Sequence, residues 1–124
     1  MKNLLILLLL VGSSQIVMAQ QEGWKELEDF HGVMSQTFHP AEDGNFKPIM
    51  ERSGEMAQKA AVLKKSKIPT AYNKEGVKKS VALLAKESKA LDKMVQRKKT
   101  EAEIKTALFA LHDRFHEVME KCAH

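Results

Sequence analysis

The side chains best suited to chemistry in this chain are its histidines, five in all: His31, His39, His112, His116 and His124. Neutral imidazole is the commonest transition-metal ligand in proteins and a standard axial ligand of haem iron. His112 and His116 are four residues apart, which on a helix sets them one turn apart on the same face. They lie on the flank of the apolar stripe formed by Leu108, Leu111 and Phe115. His31 falls among Leu27, Met34 and Phe38. At about 100° per residue this predicts a place near the centre of that stripe, directed into the core. His39 is eight residues further on, ~12 Å along a helix axis, and shares an ion with His31 only if the chain bends back at Pro40. His124 is terminal and expected to fray. No arrangement of Ser35, Ser53 or Ser88 with a histidine and an acid is legible, and there is no glycine-rich phosphate loop. The paired carboxylates Glu42 and Asp43 read as part of a turn. A non-enzymatic binding protein is therefore expected.

Four amphipathic segments have to position these residues. From Gly23 to Phe38 the apolar residues Trp24, Leu27, Met34 and Phe38 recur at helical spacing with Phe30 beside them, and acidic residues lie opposite. Proline disfavours helical geometry in the residue before it, so this helix is predicted to stop at His39-Pro40. A second helix is predicted to begin near Pro48, with Ile49, Ser53, Met56, Ala60 and Leu63 on its stripe, and to end before Ile68-Pro69. A third carries Val77, Val81, Leu84, Ser88, Leu91 and Val95, with a mostly lysine outer face. Thr100 and Glu103 form a capping-box pattern ahead of a fourth stripe of Ile104, Leu108, Leu111, Phe115, Val118 and Cys122. Four single-striped helices on short loops specify an all-α, antiparallel up-down-up-down four-helix bundle.

In such a bundle the first and last helices are antiparallel neighbours, so their levels can be compared at ~1.5 Å per residue. Aligning their loop ends sets His31 near Leu108; aligning their free ends sets it near Phe115. His112 falls between these levels. A site built from His31 and His112, with His116 one turn away, is predicted on this basis.

Residues 1–19 read as a cleaved secretory signal: Lys2, the apolar run Leu4 to Val11, and Val17-Met18-Ala19 at the cleavage point. The apolar run is too short for the roughly 20 residues of a membrane span. The mature chain, residues 20–124, is then one domain exported to a periplasm, with no transmembrane segment after signal removal. Without Lys2, 19 basic residues face 16 acidic ones, an excess too small to imply nucleic-acid binding. The lysines are unevenly spread. Lys59, Lys64, Lys65, Lys67, Lys74, Lys78 and Lys79 crowd the end joining the second and third helices, a surface for an acidic redox partner or a membrane. Cys122, the single cysteine, reads as a buried free thiol, with an intermolecular disulfide as the alternative.

The segments Leu27-Glu28-Asp29-Phe30-His31 and Leu111-His112-Asp113-Arg114-Phe115-His116 resemble the corresponding ends of the periplasmic four-helix cytochromes, the cytochrome b562 and cytochrome c-prime superfamily. The resemblance implies haem ligation by His112, with Phe115 as the aromatic that follows, and His31 in the place of the b-type second ligand. Leu108-Phe109-Ala110-Leu111-His112 lacks the cysteines of a covalent attachment motif, so a b-type haem held non-covalently is implied. Its slot would be lined by Trp24, Met34, Phe38, Phe109, Phe115 and Met119, and its role would be electron transfer. The residues alone leave two alternatives. One is a mononuclear zinc or copper site of His31, His112 and His116, completed by Glu42, Met119 or water. The other is a metal-free helical interaction module.

Overall fold

Each apolar stripe becomes a helix. A computed structural model describes residues 23–124, and the signal read over residues 1–19 lies outside the described residues. The helices are α1 (Lys25–Glu42), α2 (Lys47–Lys65), α3 (Val77–Gln96) and α4 (Glu101–Ala123), with a short 3-10 turn at Thr70–Tyr72. Each packs on the next and α4 returns to α1, which gives the up-down four-helix bundle that the stripes specify. Among the described residues no helix is long and apolar enough to cross a membrane.

Local chemistry sets the ends. Thr100 Oγ1 accepts from the Glu103 backbone N–H (3.2 Å) while Glu103 accepts from the Thr100 N–H (3.1 Å), a complete capping box at the start of α4. Pro48 lies in the first turn of α2, where its missing N–H breaks no helical hydrogen bond.

α1 differs from its sequence reading, because it runs through Pro40 to Glu42 instead of stopping at His39-Pro40. Two things carry the extra turn. Ala41 is buried against the core, and the turn closes on itself, with Asp43 and Asn45 N–H donating to Pro40 O and Gly44 N–H to Ala41 O. Gly44 takes the left-handed conformation at φ +86° that this closure requires.

Small polar contacts join the closely packed helices. Ser53 Oγ donates to Asp92 Oδ1 across α2 and α3 (2.8 Å), and Arg114 of α4 reaches Glu87 of α3 (2.7 Å) as well as Glu117. By contrast α1 and α4 approach least closely of the four neighbouring pairs, and aromatic rings fill the space between them. Phe30 meets Phe115 at 5.7 Å between centroids and Phe38 meets Phe109 at 5.0 Å. The residues singled out for chemistry lie along the solvent side of this α1–α4 seam.

Candidate metal centre

A cavity of about 330 Å³ opens on the α1–α4 seam, lined by His31, His39 and Glu42 from α1 and by His112 and His116 from α4. Met34, Ser35, Phe38 and Phe115 complete its walls. Four of the five histidines thus face one space.

The aromatic contacts fix which residues share a level. The Phe38 ring lies flat on the His112 ring, 3.6 Å between centroids and 1° from parallel, while His31 meets Phe115 at 4.9 Å. Phe38 therefore packs on His112, while His31 packs on Phe115, three residues further along α4. The sequence-based expectation groups His31 with His112 and sets His116 one turn away; all three line the cavity, and the His112 and His116 rings are hydrogen-bonded to each other with 3.2 Å between their Nε2 atoms.

His31 is exposed and does not point into the core. The buried face of α1 also takes in Phe30, Val33, Thr37 and Ala41, which moves its centre about 60–80° away from His31. Trp24 does not line the cavity. It is buried where its Nε1 donates to Ser66 Oγ (2.9 Å) and its ring meets Tyr72. Met119 is exposed and lies outside the cavity, as does the buried thiol of Cys122, which burial pushes above its ordinary pKa. Phe109 touches Phe38 behind the wall.

The extra turn of α1 adds what sequence reasoning placed in a loop. Because the helix continues past Pro40, His39 and Glu42 are three residues apart on one helical face, and His39 Nδ1 bonds Glu42 Oε1 at 2.9 Å. The signal for this was present as His-Pro-Ala-Glu, but proline reads as a stop. Ser35, dismissed for want of a partner, is the lining residue that sequence reasoning missed.

Electrostatics favour a neutral His112. Burial pushes its pKa below the ordinary value and the adjacent His116 pushes the same way, while Asp113 and Glu42 oppose them. In the neutral pair one Nε2–H donates to the other Nε2; a shared ion would replace that proton, with both rings then protonated on Nδ1 and both Nε2 lone pairs on the metal.

The spacing of the pair also suits a cation. Two imidazole nitrogens on one tetrahedral ion, each ~2.0–2.1 Å from it, are separated by about 3.3 Å, against the 3.2 Å seen here. Among the described residues no three His, Cys, Asp or Glu side chains are already grouped as metal ligands. A third ligand has to swing in, and the exposed His39, Glu42 and His31 line the same cavity. Comparison with protein families, curated proteins and solved structures finds no match to this chain.

Proposed function

We propose that this chain is an exported metal-binding protein that holds a divalent transition-metal ion, copper or zinc, on His112 and His116. His39, Glu42 or His31 completes the coordination from α1. The observation that carries this reading is the convergence of four of five histidines on one cavity, two of them already at chelating distance. Imidazole suits both ions, and for a given site Cu²⁺ binds more tightly than Zn²⁺. The role proposed for the site is binding or carriage of the ion.

Haem is the weaker fit for the same residues. A bis-histidine haem needs the rings of His31 and His112 free to meet the iron from opposite faces of one plane, whereas Phe38 covers a face of His112 and His31 packs on Phe115. Trp24, one of the residues of the haem slot, is engaged elsewhere with Ser66.

An absorption spectrum through the Soret region, paired with metal analysis of the same sample as purified from an export-competent host, tests both readings. Calorimetric titration of the metal-free protein with Cu²⁺ and Zn²⁺ then tests the site. Near-stoichiometric binding that is lost on His112→Ala supports the proposal. A Soret band that sharpens on reduction returns the case to a haem protein, and the absence of both leaves a metal-free interaction module.

A further inference from the structure

A second cavity, of about 480 Å³, lies between the end of α2 and the start of α3, away from the histidines. Its floor is apolar: Ile68 and Ala82 are half-buried and present surface to the cleft, over the buried Leu63 and Val81. Its rim is cationic, with Lys64, Lys67 and Lys78 around the opening. From Lys59 to Lys86 eight lysines are met by a single acidic residue, Glu75. Among the described residues none of the three rim lysines makes an ion pair. A cluster of cations without internal partners around an apolar hollow is complementary to a ligand with an anionic head and an apolar body.

We infer that this cleft binds a single-chain anionic amphiphile, an alkyl carboxylate whose chain rests on Ile68 and Ala82 and whose head is held by Lys64, Lys67 and Lys78. Lysine acts as a mobile point charge and suits a solvated carboxylate at the mouth of a cleft. The concavity selects a single molecule over a bilayer. A flat membrane surface meets the rim lysines but leaves the hollow between them unfilled. No aromatic side chain lines the cleft for a nucleobase to stack on. The volume falls within the ~300–1,000 Å³ of small-molecule sites.

The chain carries its own reporter, because its single tryptophan, Trp24, donates to Ser66, which lines the cleft. The experiment is titration of the chelator-treated protein with dodecanoate below its micelle concentration, followed by Trp24 emission and by calorimetry. Metal plays no part in it, so its outcome is separate from that of the histidine site. The expected result is saturable binding that weakens at least tenfold for uncharged dodecanol. It weakens at least tenfold again in the triple variant Lys64→Gln, Lys67→Gln, Lys78→Gln, whose circular dichroism and thermal midpoint stay those of the parent. Three results overturn the inference: no saturable heat or emission change, equal binding of dodecanol, or unchanged binding by the triple variant. Association with anionic phospholipid vesicles but not with monomeric dodecanoate also overturns it, by assigning the lysines to a membrane surface.

Discussion

The His112 ring is held from two sides, with Phe38 flat against its face and His116 at its Nε2 edge. Two predictions belong to these atoms. Under the metal proposal, His116→Ala lowers Cu²⁺ or Zn²⁺ affinity at least tenfold, about 1.4 kcal/mol. His31→Ala, which removes only a ligand that would have to swing in from α1, costs less. Parallel calorimetric titrations of the two variants check the order; a bis-histidine haem site demands the reverse, with His31 indispensable and His116 dispensable. The second prediction concerns pH. The folded-state pKa of His112 lies below its unfolded value of ~6.5, so the unfolded chain binds the proton more readily. The stabilising contribution of neutral His112 is therefore fully present above about pH 6.5 and is lost as pH falls through the lower folded value. Under the metal proposal, ion binding declines over the same acid range, because protons compete for Nε2. Urea unfolding of the parent and of His112→Gln at pH 7.5 and pH 5 is expected to give a smaller loss on acidification in the variant.

At the scale of the element, α1 is the helix whose sequence misleads. Apolar spacing locates its start within two residues, but Pro40 reads as a terminator and is not one. Burial of Ala41 and the hydrogen bonds that close on Pro40 O and Ala41 O carry the helix one turn further. That turn is what sets His39 and Glu42 at the cavity. Its closure depends on Gly44 at φ +86°, where an L side chain costs roughly 1–2 kcal/mol. Gly32, by contrast, lies within α1 with open space where a Cβ would be. Gly44→Ala is expected to destabilise the protein by about 1–2 kcal/mol and Gly32→Ala to stabilise it by up to ~1 kcal/mol through helix propensity. Urea midpoints measured side by side give the two opposite signs. The other three helices are nearly as their stripes predict, because nothing in them sets a local breaker against a buried face.

For the whole molecule, an ion bridging α4 to α1 as proposed would tie together the least closely packed pair of helices. Binding to the native state alone stabilises it by about 2.7 kcal/mol at a free concentration of 100 times Kd. For a domain of this size that corresponds to a rise of about 10–20 °C in thermal midpoint. Melting curves with Zn²⁺ and with excess chelator are expected to differ by this amount in the parent and to coincide in the double variant His112→Ala, His116→Ala.

The same scale divides what was legible from what was not. Stripes at spacings of three and four, the Thr100-Glu103 capping box and the Pro48 start are local signals, and by themselves they determine four helices, their order and the bundle. The pairing of His112 with His116 on one flank is local too, because four residues on a helix make one turn whatever surrounds it. The level of α1 against α4 and the rotation of α1 about its axis belong to the tertiary structure alone. Both are set by how Phe30, Phe38, Phe109 and Phe115, drawn from opposite ends of the chain, pack between the two helices, and by small buried residues such as Val33, Thr37 and Ala41 that turn the core face away from His31. Apolar periodicity says that a helix has a buried side; only packing against a distant partner determines which residues face each other across the seam.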